Sequence, residues 1–110
     1  MQNKIVNCNG IEISNKNKIC LIAGPCQLET EQHAMDMVGK IKETTKKYNI
    51  GLIYKTSFDK ANRTSHKSKR GIGLKKGLDI LSQIREKFEC PVISDVHESF
   101  QCKIAKEVLD

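Results

Sequence analysis

Three short apolar runs, each followed by a segment of helical periodicity, constrain this chain more than any other feature. "KICLIAGP" (18–25), "GLIYKTSF" (51–58) and "PVISDV" (91–96) lack the polar alternation of a half-exposed strand. Nearly continuous runs of this kind are expected of strands buried on both faces of a parallel sheet. Between the first and second, Ala34, Val38, Ile41, Thr45 and Tyr48 fall at helical spacing within residues 30–48. Glu29, Glu31 and Asp36 load negative charge early in that segment, complementing the helix dipole. Between the second and third, Leu74, Leu78, Leu81, Ile84 and Phe88 recur at steps of three and four until "ECP" stops the pattern. Ser99 is expected to cap a last helix with Ile104, Ala105, Val108 and Leu109 turned inward. The order β-α-β-α-β-α predicts an α/β fold with parallel strands joined by right-handed crossovers.

Ahead of this unit, "KIVNCNGIEIS" (4–14) places short apolar stretches on both sides of Asn9-Gly10, a strong two-residue hairpin signal. Residues 1–16 are therefore read as an N-terminal β-hairpin and 17–110 as three βα units. Three parallel strands leave two sheet edges open, and three helices cover two apolar faces poorly. The pattern reads as the beginning of a larger assembly of such units.

With 110 residues the chain has room for one domain and a modest core. No apolar run approaches the roughly 20 residues needed to cross a bilayer, and "MQNKIVNCNG" lacks the marks of a signal peptide. A cytoplasmic protein without membrane association is expected. Cys8, Cys20, Cys26, Cys90 and Cys102 are odd in number and form no C-x-x-C pair, which predicts reduced thiols in place of a disulfide framework or zinc knuckle.

The net charge is +6, and its source is local. From Lys60 to Lys76 there are seven lysines and arginines and no aspartate or glutamate; setting these aside leaves 12 basic residues against 13 acidic in the rest of the chain. Such a concentration favours one anion site over a basic face. The segment also holds Asn62, Thr64 and Ser65 around Lys60 and Arg63, so point charge, a bidentate fork and neutral donors lie within six residues, as phosphate recognition requires. A plain solvated loop is the competing account. Aromatic residues that would stack bases are absent from the segment, which sets nucleic acid aside.

In parallel sheets the chemistry gathers at the carboxyl ends of the strands. Here those ends are "AGPC", "YKTSFDKANR" and "SDVHE". Lys55 in an apolar strand needs an anion or a carboxylate beside it, so it is either a core salt bridge or a ligand for phosphate or carboxylate. Asp95, His97 and Glu98 close the third strand, where an aspartate is otherwise a turn residue and a histidine a structural one. His33 and His66 carry no expected role. Cys26, directly after Gly-Pro, stands where a thiolate would serve as a metal ligand, although no second ligand lies near it in sequence. The G-x-G-x-x-x-G of residues 71–77 follows a loop instead of a strand end, so it is read as a turn into a helix and not as a dinucleotide fingerprint.

Taken together, "IAGPCQLE", "YKTSFDKANRTS", "RGIGLKKGLDIL" and "SDVHE" resemble the first part of the 3-deoxy-8-phosphooctulonate synthases, the Kdo 8-phosphate synthases of lipopolysaccharide-making bacteria. The resemblance runs from about Ile19 to Asp110. The related enzymes of the shikimate pathway share G-P-C, but their loop reads K-P-R-T where this chain has "KANRTS". The resemblance implies a (β/α)8 TIM barrel with a hairpin across its base, usually a homotetramer. It also implies condensation of phosphoenolpyruvate with arabinose 5-phosphate and release of inorganic phosphate.

By the same resemblance Lys55 and Lys60 look like phosphoenolpyruvate ligands. Asn62, Arg63, Thr64 and Ser65 look like the part that holds arabinose 5-phosphate, with Arg63 near a subunit boundary. Asp95 resembles the residue that orients the sugar beside the reacting aldehyde, so Lys60 and Asp95 are the expected catalytic pair. Cys26 places the chain in the branch that binds a divalent metal ion; the branch with asparagine there needs none. A barrel of this kind takes about 250 residues, so the 110 here imply a truncated one with about three of its eight units. The other metal ligands, a histidine, a glutamate and an aspartate, are expected beyond Asp110, and the chain alone is expected to be inactive. The alternative is a non-catalytic module that binds phosphorylated ligands or associates through its open sheet edge.

Overall fold

The computed structural model describes residues 3–59 and 72–110. It opens with an antiparallel hairpin of β1 (Val6–Cys8) and β2 (Ile11–Ile13), in the register Val6↔Ile13, Asn7↔Glu12, Cys8↔Ile11. The two turn residues Asn9 and Gly10 have φ of +43° and +93°, the left-handed pair that a two-residue hairpin loop demands. Asn7 Oδ1 accepts from Gly10 N at 2.9 Å and closes the turn. The Ile11 side chain fills the space where a Cβ on Gly51 would stand, so the hairpin packs at the amino end of the sheet.

That sheet holds β3 (Leu21–Ala23), β4 (Leu52–Lys55) and β5 (Val92–Ile93), parallel, in that order. Helix α1 (Glu31–Lys47) joins β3 to β4, α2 (Leu74–Phe88) precedes β5, and α3 (Ser99–Ala105) follows it. Thr30 caps α1 by accepting from His33 N at 3.0 Å, with Glu31 in the first turn and Lys46 and Lys47 in the last. Gly73 is the N-cap of α2. One turn on, Gly77 has the Phe58 Cβ only 2.5 Å from where its own Cβ would be, so this helix can approach the sheet only without a side chain there. The core lies between sheet and helices: Leu52, Tyr54 and Val92 meet Leu28, Ala34, Val38, Ile80, Leu81 and Ile84.

Four expectations are corrected. The first run is expected to be buried on both faces, yet Ile22 is 54% exposed and Ile19 and Leu21 are also open, because among the described residues β3 pairs on one side only. Tyr48 is 64% exposed: the helix ends at Lys47 and the left-handed Asn49 turns the chain away before the periodicity runs out. The cap of α3 is Glu98, not Ser99, since Glu98 and Gln101 form a reciprocal capping box. Ile104 points to solvent, while Ala105 is buried and Val108 and Leu109 pack on the core. Beyond α3 the chain returns to the sheet, where Asp110 N donates to Val92 O at 2.8 Å and Asp110 Oδ2 accepts from Val92 N at 3.0 Å. Among the described residues no helix is long and apolar enough to cross a membrane.

Candidate active site

The carboxyl ends of β3, β4 and β5 converge on one rim, and the register decides what meets there. Lys55, the last residue of β4, pairs with Ile93 of β5. Beyond it the chain stays extended: Ser57 forms a parallel bridge with Gln27, and Leu28 N donates to Ser57 O at 2.8 Å. Between them Thr56 turns the other way, and its hydroxyl donates to Pro25 O at 2.7 Å, fastening the β3 end to the β4 end. Lys55 and Ser57, two apart on an extended chain, therefore share a face.

Asp95, two residues past β5, closes the group. Lys55 Nζ donates to Ser57 Oγ at 3.2 Å, Ser57 Oγ donates to Asp95 Oδ1 in a short hydrogen bond, and Lys55 Nζ stands 3.6 Å from the same carboxylate oxygen. His97 Nε2 lies 3.3 Å from Asp95 Oδ2 and 2.6 Å from the Asp59 carbonyl oxygen. The peptide that carries His97 is fixed in turn, since His97 N and Glu98 N both donate to Gln101 Oε1. The α3 cap and the rim are thus one structure.

Partial burial by itself pushes the Asp95 carboxyl up. The Ser57 hydroxyl, a hydrogen bond from its own backbone and the charges of Lys55 and His97 outweigh that push, and the carboxyl is held below its ordinary value. It is therefore ionised near neutrality. The Lys55 and Asp95 side chains are both more than a third exposed, so a cation and an anion stand side by side at an open mouth. Such a pair can hold an anionic group on the ammonium and accept a hydrogen bond from a hydroxyl on the carboxylate, a few ångströms apart.

Of the residues singled out from sequence, Lys55 and Asp95 are brought together. Lys60, Asn62, Arg63, Thr64 and Ser65 lie outside the described residues. Cys26 is exposed and sits directly before Gln27 at the end of β3. Among the described residues no group of three or more histidine, cysteine or acidic side chains is arranged to hold a metal ion. One thiolate falls short of the three protein ligands a catalytic metal takes, so the described residues do not by themselves make up a catalytic metal centre. Ser57 is the site residue that the sequence reading misses, and its place two residues after Lys55 in "YKTSF" is the signal that points to it.

A profile of the DAHP synthetase I family matches residues 2–110. The chain belongs to that family. It is also similar to 2-dehydro-3-deoxyphosphooctonate aldolase of Brucella ovis, with 50% identity over 91 residues that make up 83% of this chain and 33% of the relative. The aldolase of the same name from Rickettsia typhi is 52% identical over 90 residues, 82% of this chain and 33% of its own. The matched part of the chain spans about a third of the length of these curated relatives.

Proposed function

We propose that this chain contributes the first three βα units of a barrel that condenses phosphoenolpyruvate with arabinose 5-phosphate to 3-deoxy-octulosonate 8-phosphate. The observation that carries the proposal is the Lys55–Ser57–Asp95 chain at the carboxyl rim of a parallel sheet. The family match and the half-identity to two octulosonate-type aldolases support it. In the reaction C3 of phosphoenolpyruvate bonds to the aldehyde carbon, water adds its oxygen to C2, and the C2–O bond to phosphate breaks. Atoms balance with one water consumed and one phosphate released.

In this scheme Lys55 and Lys60 hold the anionic groups of phosphoenolpyruvate. Asp95, ionised and fixed by Ser57, accepts a hydrogen bond from the sugar beside its aldehyde. Asn62, Arg63, Thr64 and Ser65 hold the sugar phosphate, with Arg63 near a subunit boundary in a homo-oligomer. Cys26 supplies one thiolate toward a divalent metal. Residues 1–16 form the hairpin that closes the base, 17–110 form the partial barrel, and the protein works in the cytoplasm. The exposed Leu21 and Ile22 of β3, with the exposed Ile19 just ahead of it, support association of this edge with further strands, the second role the fold allows.

Calorimetric titration of the chain with phosphoenolpyruvate tests the proposal. Lys55→Met is expected to weaken binding at least about tenfold, as loss of a charge-assisted hydrogen bond does. Unchanged affinity would sink the assignment of Lys55.

A further inference from the structure

Three buried side-chain polar atoms have no hydrogen-bond partner among the described residues: Gln27 Oε1, His33 Nδ1 and Tyr54 Oη. Tyr54 belongs to the helix-covered core and His33 to α1. Gln27 differs from both. Its parallel bridge to Ser57 puts it on the face that carries Ser57 and Lys55, because bridge partners in a parallel pair project the same way. The next residue, Leu28, enters the core between sheet and helices, as alternation requires.

Gln27 is only 5% exposed, and its amide oxygen is sealed from solvent. A buried carbonyl oxygen without a donor is expensive, and such groups persist where a ligand supplies what the protein does not. The chemistry of the atom selects the ligand. An amide oxygen only accepts, so it repels phosphate and carboxylate oxygens and pairs with a hydroxyl. Lys55, across the Ser57 bridge, has the opposite preference.

We infer that Gln27 is a specificity-determining residue whose Oε1 accepts a hydrogen bond from a hydroxyl of the aldose phosphate. The inference rests on the proposed condensation and assigns one more of its contacts. It divides the rim into an anion-binding part at Lys55 and a hydroxyl-reading part at Gln27.

Calorimetry with the full chain and its Gln27→Met variant, each titrated with arabinose 5-phosphate and separately with phosphoenolpyruvate, tests it. Methionine keeps length and burial and removes the acceptor. The expected result is about tenfold weaker binding of arabinose 5-phosphate with phosphoenolpyruvate unchanged. Equal weakening of both ligands, or of neither, overturns the role of Gln27 and leaves the condensation standing. Binding of neither ligand to the unaltered chain overturns the condensation and the Gln27 role together. The unaltered chain gives a readout independent of the variant's folding: the Gln27 side-chain amide resonances should shift with arabinose 5-phosphate and hold still with phosphoenolpyruvate. Resonances that ignore arabinose 5-phosphate while it binds overturn the assignment.

Discussion

Strand β4 is a comparison in itself, because its two faces do different work. On one face Leu52 and Tyr54 are buried against α1 and α2, in a layer where Ile80, Leu81 and Ile84 complete the packing. On the other, Lys55 and the following Ser57 meet Asp95 through charge and hydrogen bonds at an open mouth. The period of two along an extended chain lets adjacent residues serve stability and chemistry without sharing an environment. The two faces should therefore respond to mutation almost independently, since additivity holds for sites with no common partners.

The largest effect should come from the packed face. Leu81→Ala empties a fully buried position in the cluster that also holds Tyr54 and Ile84, and such truncations cost about 2–5 kcal/mol. Urea unfolding should show the unfolding free energy reduced by that amount and the midpoint lowered accordingly, while the variant, where folded, keeps the affinity of the unaltered chain for phosphoenolpyruvate. A changed affinity at equal folded fraction would mean that the faces are coupled through β4, and the comparison would fail.

Legibility in the sequence follows the same division. Periodicity revealed α1, α2 and the buried stripe of each, and Asn9-Gly10 revealed the hairpin, because both are local properties of the chain. An apolar run does not say whether a neighbour exists to cover it, so Leu21 and Ile22 read as buried when β3 is an edge. Lys55 and Asp95 were legible as rim residues because strand ends announce themselves. Their union through Ser57 was not, since it joins residues 38 positions apart and depends on the register of three strands. Gln27 was hidden for the same reason. It looks like an ordinary surface glutamine until the bridge to Ser57 buries it.

A smaller effect should sharpen the polar side. The Asp95 carboxyl is held below its ordinary value in the folded chain, so on acidification the unfolded chain takes up this proton first. Its contribution is present above the unfolded value of about 3.9 and is lost as pH falls through the lower folded value. Asp95→Asn should accordingly flatten the acid limb of a stability profile below about pH 5, by an amount within about 1 kcal/mol for so exposed a pair. Urea midpoints at each pH unit measure it. Identical acid limbs in the two proteins would deny that the rim network is formed in solution.

The smallest effect belongs to a polar atom buried on the packed face. The Tyr54 hydroxyl is buried with no partner among the described residues, and burial, with the Cys90 thiol nearby, pushes its phenol up to about 12. An unpartnered hydroxyl in a dry layer has lost its water without replacement, so Tyr54→Phe should be neutral to stabilising by about 1 kcal/mol or less at pH 7. The sign reverses what removing Asp95 should do at the rim. Because the folded phenol titrates above the unfolded value of about 10, the unaltered chain keeps this contribution below that pH and loses it as pH rises toward 12. The phenylalanine variant has no such proton to lose, so its profile should stay flatter across this alkaline range. A destabilised Tyr54→Phe at pH 7 would show that the hydroxyl is partnered after all, and the packed face of β4 would then be polar in part, as its other face is.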